Sequence, residues 1–68
     1  MPQYEIEIAG SAPRRFRARS AEDAAVRAGV SSPRLGTEAD VEGWREVRSG
    51  DEPVGRVREF ARMRFRRD

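Results

Sequence analysis

Apolar and polar residues alternate with a period of two in the first part of the chain, which is typical of half-buried β-strands. Across residues 4–8 every second residue is apolar, and glutamates occupy the positions between them. Residues 9–13 contain a glycine and a proline and are typical of a turn. Residues 15–19 then alternate again, with Phe16 and Ala18 at the apolar positions. These patterns predict a β-hairpin.

The apolar faces of the two strands also predict a register for this hairpin. A shift of one residue would move arginines onto the buried face, so the alternation selects against it. The predicted pairs are Ile8 with Phe16, Ile6 with Ala18, Glu7 with Arg17 and Glu5 with Arg19. In this register the glutamates of the first strand offset much of the charge of the second, at roughly 0.2–1 kcal/mol per pair.

A short helix is predicted after the hairpin. Ser20 can cap its N-terminus, and Glu22 and Asp23 follow where the helix dipole favours acidic residues. Small side chains recur at helical spacing and would let the helix lie close to a sheet. They are Ala21, Ala24, Ala25 and Ala28. Gly29 then provides a stop signal.

The C-terminal half allows a helical interpretation. Residues 30–38 predict a loop, and residues 37–40, which overlap its end, resemble a capping box. Val41, Trp44 and Val47 then recur at every third position, as in a helix. The alternative fold is therefore ββα followed by further helices.

A strand interpretation fits the end of the chain better. From Val57 onward a helix would scatter the arginines around its axis, whereas a strand separates them from the apolar residues, with Glu59 as the one misfit. The apolar positions of that strand are Val57, Ala61, Met63 and Phe65. Residues 41–48 then form its partner strand, and residues 49–53 form the hairpin loop.

We therefore predict an α+β fold for a single small domain spanning residues 1–68. Its elements follow the order ββαββ, and one helix packs on a mostly antiparallel, four-stranded sheet. Besides the alanines of the helix, the predicted core residues are Ile6, Ile8, Phe16, Val47, Val57, Met63 and Phe65.

Composition argues against catalysis. The 68 residues include no cysteine and no histidine, which excludes thiol chemistry and removes the commonest general base and metal ligand. All 14 basic residues are arginine, and the formal net charge is +2. The use of arginine without any lysine reflects either a GC-rich genome or selection for planar donors that bind phosphate and carboxylate. We expect no enzyme activity, no cofactor, no metal site and no small-molecule substrate.

The chain carries no signal for a membrane. No apolar run approaches the ~20 residues that a spanning helix needs. The first residues lack the basic and apolar regions of a signal peptide. We expect a cytoplasmic protein without a membrane partner.

The second hairpin gathers the candidate functional residues. Its predicted pairs are Val47 with Gly55, Arg45 with Val57, Trp44 with Arg58 and Glu46 with Arg56. This register places Trp44, Arg58 and Phe60 on the face away from the helix. Exposed aromatics beside arginine stack unpaired bases in sheet-based modules and also anchor protein interfaces. The structural alternative is that Trp44 is a core residue, covered by residues 31–40, with a cation–π contact to Arg58.

Two functions follow from this face. The first is a non-catalytic nucleic-acid-binding accessory module, in which arginines contact phosphates and aromatics stack bases. Its candidate residues are Trp44, Arg56, Arg58, Phe60, Arg62, Arg64 and Arg66. The alternative is a small protein-binding adaptor or inhibitor, of the kind that compact phage or mobile-element genomes encode. It would use the same face or a sheet edge, as a monomer or a homodimer.

Overall fold

The computed structural model describes residues 2–60, in which one helix packs on a single open antiparallel sheet of five strands. The elements are β1 (Gln3–Ile8), β2 (Arg14–Arg17), α1 (Ala21–Arg27), β3 (Pro33–Leu35), β4 (Arg45–Ser49) and β5 (Glu52–Phe60). Their order across the sheet is β2-β1-β5-β4-β3. The predicted α+β class is confirmed, and the predicted number of four strands is wrong. The predicted continuation of the last strand, with Met63 and Phe65, lies outside the described residues.

The helix forms where the sequence predicts it. The backbone of Ser20 is extended (φ −156°), and its hydroxyl oxygen accepts a hydrogen bond of 3.1 Å from the N–H of Asp23. This contact satisfies one of the free N–H groups at the helix N-terminus. Ala24 and Ala25 are fully buried against the sheet. Gly29 follows the helix with φ +99°, the left-handed conformation that commonly ends a helix.

The core lies between α1 and one face of the sheet. Its buried residues are Ile6, Ala18, Ala24, Ala25, Val47 and Val57. Tyr4, Ile8 and Phe16 are half-buried around them. Among residues 2–60, the large, fully buried side chains are Ile6, Val47 and Val57, each contributing about 1.5–3 kcal/mol by the hydrophobic effect. The described part of the core is therefore one thin layer between α1 and the sheet.

The register of the first hairpin differs from the prediction. The observed pairs are Gln3 with Arg17, Tyr4 with Phe16, Glu5 with Arg15 and Ile6 with Arg14. Alternation fixes the face that Phe16 occupies but not its partner, and this register keeps the same face. The connection is tight, because the N–H of Ser11 donates to the carbonyl oxygen of Ile8 at 2.9 Å and Gly10 has φ +85°. The predicted partners of both glutamates on β2 are thus wrong.

A strand lies within the predicted loop of residues 30–38. In β3, Leu35 is paired with Val47 of β4. A strand over residues 41–48 would place Val41 on the same face as Val47, but Val41 is fully exposed in the turn that precedes β4. The partner strand begins at Arg45 and not at residue 41, because a turn occupies the residues between.

The second hairpin has the predicted register. Val47 lies opposite Gly55, Arg45 opposite Val57 and Glu46 opposite Arg56. Its connection is shorter than predicted, because Ser49 already pairs with Glu52. The turn therefore consists of Gly50 and Asp51. Gly50 has φ +64° and Asp51 does not have a positive φ, which is the pattern of a type II′ turn.

Candidate functional site

The sheet face away from α1, which we call the outer face, carries most of the charge of the described strands. Its arginines are Arg15 and Arg17 on β2, Arg34 on β3, Arg48 on β4, and Arg56 and Arg58 on β5. Its glutamates are Glu5 and Glu7 on β1 and Glu46 on β4. Among the strand residues of this face, six arginines against three glutamates leave an excess of three positive charges, and Asp40, in the turn before β4, adds one carboxylate near Arg56.

Trp44 lies on the outer face but is not exposed to solvent. Only 6% of its surface is accessible. The guanidinium carbon of Arg56 lies 4.2 Å from the centre of its ring, and that of Arg58 lies 4.4 Å away. Both distances are well within the range of cation–π contacts. The predicted exposure of Trp44 is therefore wrong. The cation–π contact with Arg58 that the structural alternative predicted is present, and Arg56 covers the ring as well.

A turn centred on Asp40 holds the backbone of Trp44. One carboxylate oxygen of Asp40 accepts hydrogen bonds of 2.9 Å from the N–H groups of Trp44 and Glu42. The N–H of Asp40 donates to the carbonyl oxygen of Trp44 at 3.0 Å. The pKa of Asp40 lies below its usual 3.8, mainly because the carboxylate accepts the hydrogen bond from the N–H of Trp44. The hydrogen bond from Glu42 and the charge of Arg56 lower the pKa further, whereas desolvation opposes the shift. The ionised carboxylate thus stabilises the position of Trp44.

Arg56 and Arg58 are held by the glutamates of β1. Arg56 donates to Glu7 at 2.5 Å, and Arg58 donates to Glu5 at 3.0 Å. These contacts follow from the pairing of β1 with β5, which places each arginine directly opposite its glutamate. We call Glu5, Glu7, Trp44, Arg56 and Arg58 the central cluster. Each arginine in it already contacts both a carboxylate and the tryptophan ring, so the middle of the outer face is close to neutral.

The ring of Phe60 is also covered by an arginine, Arg15. Phe60 is half-buried at the end of β5, and the guanidinium carbon of Arg15 lies 4.0 Å from the centre of its ring. Arg15 comes from β2, on the far side of β1. The structure thus places both predicted aromatics on the outer face, as the register implied, and each is covered by arginine.

The remaining arginines lie towards the two sides of the sheet. We call Arg15 and Arg17 the β2 edge pair, and Arg34 and Arg48 the β3–β4 edge pair. Among residues 2–60, Arg15, Arg17 and Arg34 have no carboxylate within ion-pair distance. Arg48 contacts Glu46 at 3.1 Å, and both side chains of that pair are about half exposed. Arg15 is stacked on Phe60, whereas for Arg17 and Arg34 no ion pair and no aromatic contact is seen within residues 2–60.

Sequence reasoning missed the edge pairs for two reasons. Arg34 lies on β3, which was not predicted, and there it is directly opposite Arg48. Arg17 was predicted to be neutralised by Glu7, which instead contacts Arg56. Three further candidates, Arg62, Arg64 and Arg66, lie outside the described residues and stay a prediction.

The described residues show no other chemistry-bearing cluster. Residues 2–60 contain no group of three or more metal-ligating side chains. No helix in that part of the chain is long and apolar enough to cross a membrane. Two shallow clefts of about 170 and 230 Å³ meet at Ile8 and Ala28, at one end of the helix–sheet layer. Apolar side chains line both clefts together with Ser11 and Arg14 in one and Ser31 and Ser49 in the other.

Comparison of the chain with known protein families, with curated proteins and with solved structures gave no match.

Proposed function

We propose that this chain is a non-catalytic nucleic-acid-binding module that contacts the sugar–phosphate backbone through arginines of the outer face. The observation that carries the proposal is that Arg15, Arg17 and Arg34 share one open face without a carboxylate partner among residues 2–60. Guanidinium groups match phosphate oxygens in geometry and charge. The excess of positive charge on this face supports attraction of a polyanion.

Because Trp44 is buried, we expect the protein to contact the sugar–phosphate backbone of a nucleic acid and not its bases. A base can stack only on an open ring face, and Trp44 is covered by Arg56 and Arg58. Phosphate contacts need no such opening and carry little sequence information. We therefore assign Trp44 a structural role, with the edge pairs as the primary contacts. Arg62, Arg64 and Arg66 would add to them.

The test is binding of labelled oligonucleotides, followed by fluorescence anisotropy at 50 and 200 mM salt. Three phosphate contacts to a duplex predict a loss of affinity of about 40-fold over this range. Arg17→Gln and Arg34→Gln should each weaken binding. Arg27→Gln, which removes the same charge from an exposed position on α1, should have a smaller effect. Absence of binding, or binding that does not depend on salt, would refute the proposal.

A second candidate function is protein binding, as a small adaptor or inhibitor. The observation that favours it is the position of β2, a strand of four residues at the edge of the sheet. Such an edge presents unpaired backbone groups that can pair with a strand of another protein or of a second copy. Sedimentation velocity over a range of concentrations tests the homodimer form. A monomer at all concentrations would exclude it.

A further inference from the structure

We infer that the open edge of β2 is a docking site for an acidic strand of another protein, which would extend the sheet by one strand. The strand that fits this edge has an apolar residue between two acidic residues. The inference does not depend on nucleic-acid binding, and it gives the protein-binding function a site and a kind of partner. It starts from the two edges of the sheet, which are not equivalent.

The edge of β2 presents four backbone hydrogen-bonding groups. The N–H of Ala18 donates to the carbonyl oxygen of Pro2 at 3.1 Å, so Ala18 turns its backbone groups towards β1. Because these groups alternate in direction along a strand, Arg15 and Arg17 turn theirs towards the open side. No backbone partner is seen for them within the described part of the chain. An added antiparallel strand can therefore form four backbone hydrogen bonds here.

The opposite edge of the sheet is less suited to pairing. The N–H of Gly36 donates to the carbonyl oxygen of Glu46 at 2.9 Å, so Gly36 turns towards β4 and its neighbour Leu35 turns towards the open side. Pro33 faces the open side as well, and it has no N–H. The three residues of β3 thus offer a single outward N–H, and an edge proline limits strand pairing. An added strand would therefore pair with β2.

The side chains of β2 select the strand that can pair there. Three of its four residues are arginine. Like charges directly opposite each other are destabilising, so two copies of β2 would repel each other in a homodimer. A strand with carboxylates opposite Arg15 and Arg17 would be attracted. Arg17 is the better partner, because Arg15 stacks on Phe60, whereas no ion pair or aromatic contact of Arg17 is seen within residues 2–60.

The pairing of β1 with β5 shows the same recognition within the molecule. Residues 15–17 of β2 and residues 56–58 of β5 both consist of an apolar residue between two arginines. Residues 5–7 of β1 are Glu–Ile–Glu, and each glutamate lies opposite an arginine of β5 and forms an ion pair with it. The hydrogen bond from the N–H of Ala9 to the carbonyl oxygen of Val54 indicates that these glutamates occupy hydrogen-bonded pairs. An acidic strand on β2 would repeat this arrangement.

The residue between the two acids would lie on the sheet face that packs against α1. It would be opposite Phe16, which is half-buried on that face. Phe16 also lines the cleft of about 170 Å³, together with Ile6, Ile8 and Ala28. An apolar side chain at this position would bury surface against Phe16, which a polar side chain would not.

The experiment titrates the isotope-labelled full chain with a peptide of the sequence of residues 3–8, blocked at both ends, and follows the amide chemical shifts. A matched peptide has glutamine in place of both glutamates. Two further peptides carry one backbone N-methyl group each. One has it on a glutamate, whose N–H would face β2, and the other on the isoleucine between the glutamates, whose N–H would face solvent. The protein variants are R17Q and, as the control from β3, R34Q.

We expect the largest shifts at the amides of Arg15 and Arg17, and slower exchange of these amides with solvent when the peptide is bound. The glutamine peptide should bind about 2–30-fold more weakly, which is the range for two cross-strand charge pairs. Methylation of the glutamate amide should weaken binding by about 10-fold, because a backbone hydrogen bond is lost, and methylation of the isoleucine amide should have a smaller effect. R17Q should weaken binding about 1.5–5-fold, and R34Q should leave it unchanged.

Three results would overturn the inference. The first is no binding of the glutamate peptide, or shifts centred on β3. The second is equal binding of the two N-methylated peptides, which would mean that no strand is added to β2. The third is equal binding of the glutamate and glutamine peptides, which would mean that charge does not select the partner. Nucleic-acid binding is tested by the oligonucleotide titrations and stands or falls separately.

Discussion

Replacement of Gly55 by alanine tests the sheet at its centre. Gly55 lies on β5 between Ile8 of β1 and Val47 of β4. A Cβ atom added there would be 3.0 Å from the Cα of Ile8 and well below 3.0 Å from the carbonyl oxygen of Glu7. Real Cβ atoms essentially never approach other atoms so closely. Because both neighbours are backbone, β1 and β5 would have to separate locally.

The size of the effect follows from this steric conflict. Insertion of a methyl group into a tightly packed site costs about 1–3 kcal/mol. Loss of a strand hydrogen bond adds about 1 kcal/mol. We expect Gly55→Ala to lower the free energy of unfolding by about 3 kcal/mol. For a domain of this length that is a large part of a total of roughly 3–10 kcal/mol. The melting temperature should fall by about 15 °C.

Gly36→Ala provides the matched control. Gly36 is also next to a strand, but its added Cβ would be 3.5 Å from the nearest atom, the backbone nitrogen of Glu46. That is an ordinary contact, so we expect a change within about 0.5 kcal/mol. Urea unfolding followed by circular dichroism measures both variants. If Gly55→Ala is as stable as Gly36→Ala, the pairing of β1 with β5 is incorrect.

Three further substitutions test local features. Ser20→Ala removes the helix cap and should destabilise the domain by about 1 kcal/mol in urea unfolding; no change would mean that the cap contributes nothing. Asp40→Asn tests the turn before β4: the depressed pKa means that stability from the ionised carboxylate is present above pH 3.8 and is lost as the pH falls below it. Loss of the ionised Asp40 carboxylate at low pH should change the emission of Trp44, and this change should disappear in Asp40→Asn and persist in Asp51→Asn. Arg58→Gln should shift Trp44 emission to the red and increase acrylamide quenching, whereas unchanged quenching would show that Arg58 does not cover the ring.

Alternation predicted the inward-facing residues of both hairpins, but it predicted the correct register only for the second one. The second hairpin was placed correctly because Val47 and Val57 must both face the core. In the first hairpin, alternation determined the face of Phe16 but left its partner open. The actual partner depends on a short connection containing Gly10, whose positive φ is not determined by the pattern.

The strand β3 could not be predicted from its own sequence. It has only three residues and begins with Pro33, which disfavours the interior of a sheet. It forms because it pairs with β4 at an edge, and that is a property of the tertiary structure. Val41 was misplaced for a related reason. The hydrogen bonds of Asp40 close a turn, although the spacing of the apolar residues there suggested a continuous element.

The sequence predicted where the candidate site lies, but not which of its arginines are paired with glutamates. The sequence placed Trp44 opposite Arg58 and both aromatics on the outer face. It could not show that β1 would pair with β5, because that contact joins residues about 50 positions apart in the chain. This pairing brings Glu5 and Glu7 to the arginines of β5 and so leaves the arginines of the edges as the available ones.

The most direct measurement is the emission of Trp44, the only tryptophan in the chain. Emission and acrylamide quenching would be recorded for the free protein, and again with single-stranded and with duplex DNA at low salt. We expect a blue-shifted, weakly quenched emission that stays so when anisotropy shows that DNA is bound, because the contacts are made by the edge pairs while Arg56 and Arg58 keep the ring covered. A red, strongly quenched emission in the free protein, or quenching by bound bases, would instead show that Trp44 is an open stacking residue, and would contradict recognition through the backbone alone.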